Sequence, residues 1–447
     1  MKPTAETPPL DVNRAIVVRP CAGAEARAAE SQARLAEAVG LAQALGLDIV
    51  SAEPASLRQI NPRTYFGVGR VERLKDQASS LGTGLIVVDA TLSPVQQRNL
   101  EQDIGAKVID RTGLILEIFG LRARTKEGKL QVELARQAYE RSRLVRTWTH
   151  LERQRGGLGK TGGPGETQIE LDRRIIADRI VRLKRDLEDV RRTRGLARRA
   201  RARARLPAVV LVGYTNAGKS TLFNRLTQAG VLAQDLLFAT LDPTARQVRL
   251  PSGRALIVSD TVGFISDLPT ELVVAFRATL EAVTEADLLL HVRDIASPDT
   301  DQQRADVLNV LEQLAKDAGG KSPPVIEIWN KIDLLEPATR EARLRRAQAL
   351  EPGALAPVAI SAQNGEGIET LLAAVGRAAF AATRIVTLTL DPADGKTRAR
   401  IAAAGRILEE SADDAGVLTI TAEVLIEDAA RLAPLAPLTD EPKAAAE

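Results

Sequence analysis

The segment Gly213-Tyr214-Thr215-Asn216-Ala217-Gly218-Lys219-Ser220 sets two glycines, a lysine and a hydroxyl at the spacing of a phosphate-binding loop. The glycines let the backbone curl until several N–H groups, and the positive end of the helix that follows, face one anion. Gly213, Asn216, Ala217, Gly218, Lys219, Ser220 and Thr221 are therefore the expected phosphate ligands. Lys219 adds a mobile cation over the outer phosphates, and Ser220 offers a hydroxyl to Mg²⁺. An apolar strand, Ala208 to Val212, enters the loop and a helix opening at Thr221-Leu222-Phe223 leaves it, a setting that a chance glycine-rich turn lacks.

Further segments follow in the order that turnover of a guanine nucleotide requires. In Phe238-Ala239-Thr240-Leu241-Asp242-Pro243-Thr244 a threonine hydroxyl can complete the Mg²⁺ shell beside a γ-phosphate, with Thr240 the first choice and Thr244 the second. A hairpin, strand Arg246 to Leu250 and strand Ala255 to Val258, delivers Asp260-Thr261-Val262-Gly263, where Asp260 can orient a metal-bound water and the Gly263 N–H can meet the γ-phosphate. Lys219, Thr240 and Gly263 are thus the candidate catalytic groups.

The strand Val325 to Trp329 runs into Asn330-Lys331-Ile332-Asp333. A carboxylate at Asp333 offers two acceptors to the adjacent donors of guanine, a pairing that adenine cannot make. Lys331 can lie along the base, Asn330 can tie this loop to the phosphate loop, and the backbone of Ser361-Ala362 can read the guanine carbonyl. Phe264 stands where many GTPases carry a water-positioning glutamine, so intrinsic hydrolysis is expected to be slow. His150 and His291 have no acidic or nucleophilic partner nearby in sequence and are read as core or surface residues.

Stepping outward, 447 residues allow two to four domains. No stretch is long and apolar enough to span a membrane, and Met1 to Asp11 has no secretory pattern, so a cytoplasmic protein is expected, with peripheral membrane association left open. Cys21 is the single cysteine, which excludes internal disulfides and argues against a cysteine-based metal centre. Charge is uneven. Arg141 to Arg205 holds 20 Lys/Arg against 8 Asp/Glu, a local +12, which leaves −9 for the rest of a chain whose total is +3. Such a block is the footprint of a phosphate-backbone partner.

The fold class expected is α/β in several domains. After a disordered 1–13, an N-terminal α/β domain spans 14–125, where strands Arg14 to Arg19, Asp48 to Ala52, Leu85 to Val88 and Lys107 to Ile109 alternate with helices; Ser93 caps one of these, with Pro94 at its first position. Gly67-Val68-Gly69-Arg70 is read as an ordinary turn. An antiparallel helical hairpin fills 126–205, its second helix marked by Ile169, Ile176, Ile180, Leu183, Leu187 and Val190. Its tip, 153–167, has fifteen residues with six glycines. There Arg153, Arg155 and Lys160 supply cations, and Gly156, Gly157, Gly159, Gly162, Gly163 and Gly165 let backbone approach a ligand closely. A P-loop G domain of Ras-like type is expected over 206–382. A small C-terminal α+β domain, read as one βαβ unit with a helix from Thr397 to Glu410, covers 383–431, and 432–447 is read as a disordered tail.

Together, the tip Gly-Gly-Leu-Gly-Lys-Thr-Gly-Gly-Pro-Gly-Glu-Thr, Gly-Tyr-Thr-Asn-Ala-Gly-Lys-Ser, Phe-Ala-Thr-Leu-Asp-Pro-Thr, Asp-Thr-Val-Gly-Phe and Asn-Lys-Ile-Asp resemble the HflX family of bacterial ribosome-associated GTPases, over roughly Arg14 to Asp428. The resemblance implies GTP and GDP as ligands, Mg²⁺ as cofactor, binding to rRNA of the large ribosomal subunit with the tip near the peptidyl-transferase centre, and ribosome-stimulated hydrolysis coupled to splitting of stalled or idle ribosomes by a monomer. The other reading is an assembly or hibernation factor that uses GTP only as an occupancy switch. By similarity to cation-dependent GTPases, Asn216 is a candidate K⁺ ligand. Two departures are visible: Lys160-Thr161-Gly162 replaces an arginine common before Gly-Pro-Gly-Glu, and Gln363 replaces a lysine after Ser361-Ala362.

Overall fold

A computed structural model describes residues 11–22, 28–154, 164–203, 206–228, 238, 244–266, 282–320, 322–348, 356–381, 383–391, 393–413, 416–432 and 438–439. The chain begins with β1 (Asp11–Ala22), α1 (Ala28–Ala44), β2 (Asp48–Leu57), α2 (Val68–Leu81), β3 (Thr83–Val88), α3 (Pro94–Ile104), β4 (Lys107–Asp110) and α4 (Arg111–Arg122). The strands form a parallel sheet in the order β2-β1-β3-β4. Helices cover both faces, so the side chains of β1 alternate between two cores: Ala15 and Val17 join Leu41 and Leu114, whereas Ile16 and Val18 join Leu74 and Leu100. Ser93 and Gln96 close a reciprocal capping box at the start of α3. Gly67 caps α2, and Arg70 in its first turn pairs with Glu53 at 2.9 Å. α4 has no counterpart among the elements expected from the sequence.

The hairpin follows as α5 (Lys126–Gln154) and α6 (Pro164–Arg203). Leu134 packs on Ile180, Leu183 and Leu187, with Leu130 and Ile176 at the margin. Both ends of the stretch 153–167 expected as a loop are helical: Arg153 lies in α5, and α6 opens at Pro164. Proline suits the first turn because its missing N–H would have no helical partner there. Gly165 is therefore helical, while Arg155, Gly156, Gly157, Gly159, Lys160, Gly162 and Gly163 lie outside the described residues.

The third unit comprises β5 (Ala208–Gly213), α7 (Lys219–Thr227), β6 (Thr244–Arg249), β7 (Ala255–Asp260), β8 (Leu288–Asp294), α8 (Thr300–Asp317), β9 (Val325–Asn330), a 3₁₀ turn (Ile332–Leu334), α9 (Pro337–Gln348), β10 (Val358–Ala359) and α10 (Ile368–Ala379). Its sheet runs β10-β9-β8-β5-β7-β6, parallel except for the β6–β7 pair. Between β7 and β8 the chain crosses to the other side of β5, which puts a topological switch point at the carboxyl ends of β5 and β8.

The last unit corrects the expected single βαβ. β11 (Thr383–Leu390), α11 (Gly395–Ala404), β12 (Gly405–Ala412), β13 (Leu418–Leu425), α12 (Ile426–Leu432) and β14 (Leu438–Thr439) form an antiparallel sheet in the order β12-β13-β11-β14. This is a split-βαβ, ferredoxin-like arrangement. The helix expected to reach Glu410 stops at Ala404 because extended Gly405 begins a strand whose pairing with β13 overrides the helical propensity of Leu408-Glu409-Glu410. Part of the tail expected to be disordered is a strand, since Leu438 and Thr439 pair with β11.

One apolar cluster is shared between units. Leu41, Leu114 and Phe119 of the first are continuous with Val212, Phe264 and Leu314 of the third, and Phe119 meets Phe238 edge-to-face at 4.6 Å. Arg254 joins the third unit to the fourth through Glu423 at 3.4 Å, and its guanidinium lies over Phe380.

Candidate nucleotide-binding site

The loop after β5 is held by contacts only glycine allows. Gly213 has φ +148°, and a Cβ there would strike the Val292 carbonyl oxygen; Gly218 has φ +91°, and a Cβ there would strike the Asn330 amide. Lys219, 6% exposed, bends back so that its Nζ donates to the Tyr214 carbonyl at 2.7 Å. Burial pulls its pKa down to about 8, against the raising effect of Asp260. Ser220 Oγ donates to Asp260 Oδ2 at 2.8 Å, so a hydroxyl and a fully buried carboxylate meet where the metal shell is expected. This pair of hard oxygen donors fits Mg²⁺. Thr244 begins β6 opposite Asp260; Thr240 lies outside the described residues.

Asn330 fastens three loops at the base end. Its Nδ2 donates to the Ala217 carbonyl at 2.8 Å, and its Oδ1 accepts from the Ala362 N–H at 2.9 Å. Lys331 takes a left-handed φ of +64° and pairs with Asp294 at 2.7 Å. Asp333 is exposed in the 3₁₀ turn, and Ser361 is fully buried, its Oγ accepting from the Asn364 N–H. Arg225 of α7, absent from the sequence reading, donates from Nε to the Ala362 carbonyl at 2.6 Å and from Nη2 to that of Gln363.

Gly263 has no room for a side chain: a Cβ would lie 2.8 Å from Thr215 Cγ2 and 2.9 Å from Lys219 Nζ. Phe264 is buried, and its backbone bridges to the phosphate loop, with the Thr215 N–H donating to its carbonyl at 2.7 Å. His291 is buried in β8, and burial depresses its pKa to about 4, which keeps the imidazole neutral at pH 7.

A polar lattice to the first unit also escapes sequence reasoning. Tyr214 and Ser266 both bond to Glu37 of α1, and Arg111, 5% exposed, reaches Glu37, Asp89 at 2.5 Å and the Ser266 carbonyl at 2.8 Å. A cavity of about 500 Å³ opens beside it, lined among others by Glu37, Tyr214, Thr215, Asn216, Ser266 and Ser297. Tyr214 was the only available signal, a large phenol inside a loop of small residues.

Family models match the chain in sequence: one described as GTP-binding GTPase N-terminal over residues 32–120, one as GTP-binding GTPase Middle Region over 122–201, and one as 50S ribosome-binding GTPase over 208–331. A protein of Magnetococcus marinus named GTPase HflX is 50% identical over 379 residues, 85% of each chain. One of the same name from Escherichia coli (strain K12) is 42% identical over 398 residues, 89% of this chain and 91% of the other. Among solved structures, a GTP-binding protein from the archaeon Sulfolobus solfataricus in complex with GDP covers 82% of this chain and 98% of its own at 22% identity, with a TM-score of 0.44.

Proposed function

The chain belongs to the HflX family of GTPases, and from that membership we propose that its GTP turnover controls binding to the large ribosomal subunit and the splitting of stalled or idle ribosomes. The observation that carries this reading is the direct continuity of arm and active site. α6 ends at Arg203, and β5, which leads into the phosphate loop, begins at Ala208. A helix of 40 residues spans about 60 Å. A change at the nucleotide is thereby levered to the glycine-rich tip, where Arg153, Arg155, Lys160 and the glycines 156, 157, 159, 162, 163 and 165 contact rRNA near the peptidyl-transferase centre.

In the nucleotide site, Gly213 and the run Asn216, Ala217, Gly218, Lys219, Ser220 and Thr221 cradle the phosphates, Lys219 and the Gly263 N–H draw charge from the γ-phosphate, and Asn330, Lys331, Asp333, Ser361 and Ala362 hold guanine. Ser220 and Thr240, with Asp260 acting through water, would hold Mg²⁺, which neutralises charge on the β- and γ-phosphates. Asn216 would hold K⁺. The protein acts as a cytoplasmic monomer.

Sedimentation of joined ribosomes tests the reading. Loss of joined particles with GTP, together with faster GTP turnover on adding purified large subunits, is the expected result. Stable association without separation would instead favour an assembly or hibernation factor. Bulky replacements of the tip glycines should weaken subunit binding while basal turnover persists.

A further inference from the structure

We propose that Thr215 supplies the hydroxyl that holds the attacking water during GTP hydrolysis, the task that Phe264 cannot perform. Phe264 brings no hydrogen-bonding atom to the γ-phosphate and is fixed in an apolar cluster, 3% exposed, with its backbone locked against the phosphate loop at both the Thr215 N–H and the Gly213 carbonyl. The water must be oriented by a neighbour whose hydrogen-bonding capacity is uncommitted.

The cavity beside the loop narrows the choice. Of the hydroxyls that line it, Tyr214 is engaged by Glu37 and the Ser266 N–H, Ser266 by Tyr214 and Glu37, and Ser297 accepts from the Asp299 N–H and from Gln303. Thr215 Oγ1 is buried and meets no hydrogen-bond partner among the described residues, in a side chain that is itself 7% exposed. A buried, unpartnered hydroxyl is costly to keep, so its presence calls for a ligand.

Position agrees with this. The Thr215 methyl, the Lys219 ammonium and Gly263 surround one point: a Cβ on Gly263 would lie 2.8 Å from the first and 2.9 Å from the second. Lys219 and the Gly263 N–H address the γ-phosphate, so the substituents on Thr215 Cβ flank the same group. A step of about 120° around the Cα–Cβ bond carries the hydroxyl to the position that the methyl holds, facing Gly263, and moves the methyl to the third staggered position. The cavity, lined with polar groups, supplies the route by which water arrives.

In the reaction, the water oxygen forms a bond to the γ-phosphorus as the bond from phosphorus to the β–γ bridging oxygen breaks. That electron pair leaves with GDP, and a water proton passes to a γ-phosphoryl oxygen to give inorganic phosphate. Thr215 Oγ1 accepts a hydrogen bond from the water and donates one to a phosphoryl oxygen; it gains and loses no proton.

The test compares Thr215→Val, which keeps the shape and removes the hydroxyl, with Thr215→Ser, which keeps the hydroxyl, in the full chain with GTP. Thr215→Val should lower kcat by about 10- to 100-fold with unchanged affinity for GDP, which lacks the γ-phosphate, and Thr215→Ser should restore turnover. Wild-type kcat in Thr215→Val would overturn the proposal. So would a loss of turnover that Thr215→Ser fails to rescue, or one matched by equal loss of GDP affinity, since either would mark a structural role.

Discussion

The Tyr214 hydroxyl, one position into the phosphate loop, donates to the Glu37 carboxylate of α1, while the Ser266 N–H donates to the same phenol oxygen at 2.6 Å. The loop that grips phosphate, the segment after Gly263 and the first helix of the chain thus share one oxygen. Burial and the adjacent Glu37 charge hold the phenol well above its ordinary pKa, so it stays a donor at every physiological pH. In Tyr214→Phe, Glu37 retains Arg111 and Ser266, so the expected loss is modest, about 1–2 kcal/mol. Hydrogen exchange should speed up in α1 and around Ser266 while the C-terminal sheet is unaffected.

Arg111 carries more. Burial disfavours its charge, but Asp89 and Glu37 more than offset this and raise its pKa. Its side chain and those two carboxylates are 6%, 2% and 12% exposed. Removing it takes the shared cation from two buried acids and leaves Asp89 with Arg19 and Glu37 with Tyr214 and Ser266, so Arg111→Met should destabilise by about 3 kcal/mol, the low end for a broken buried ion pair. Arg111→Lys should recover only part, because an ammonium cannot fork between Asp89, Glu37 and the Ser266 carbonyl. Thermal unfolding of the two variants beside the wild type measures both losses.

Lys219 makes nucleotide binding pH-dependent. In the ligand-free protein it loses its proton near pH 8, below the ordinary 10.5, whereas bound phosphate favours the ammonium. Binding above about pH 8 must therefore take up a proton, and GDP affinity should fall by about tenfold per pH unit there. Below that pH it should be flat. The ligand-free fold behaves oppositely: the unfolded chain holds this proton more tightly, so this residue's contribution to stability rises from about pH 8 to 10.5. Calorimetry in two buffers of different ionisation heat should show uptake at about pH 9 and none at about pH 7.

What could be read from the sequence follows the range of the interactions. The phosphate loop is contiguous, and β5, α7 and α6 each announce themselves by local apolar spacing, so their positions agree with expectation to within a few residues. The Tyr214–Glu37 and Arg111–Ser266 bonds join positions 177 and 155 apart, and no periodicity says which acid a phenol will meet. β12 was hidden for a related reason, because Leu408-Glu409-Glu410 is locally helical in character and becomes strand only through β13. Arg225 lies on an exposed helical surface, where an arginine needs no explanation until its two carbonyl partners are seen.

Base selectivity should follow Asp333. Changing its carboxylate to an amide removes one of two acceptors for the guanine edge and adds a donor that suits the second carbonyl of xanthine. Asp333→Asn should lose GTP affinity by about 10²-fold and gain xanthosine triphosphate affinity. Competition of the two nucleotides for one labelled GDP reports the exchange, and equal affinities would remove Asp333 from the guanine contacts.

Arg225 should set how long the nucleotide stays. The Ala362 backbone is pinned on its N–H side by Asn330 and on its carbonyl side by Arg225, and Arg225 also restrains the Gln363 carbonyl, so the loop proposed to read the base is held from both directions. In Arg225→Ala the Asn330 contact remains, the loop gains freedom, and each binding event must order it again, at a cost of about 1 kcal/mol. Because the contact persists throughout the bound state, the loss belongs to dissociation more than to association. GDP release, followed by displacement of a fluorescent analogue, should accelerate about fivefold with association little changed. Arg225→Lys should fall between the two, since one ammonium on a flexible stem cannot hold both carbonyls in a fixed fork.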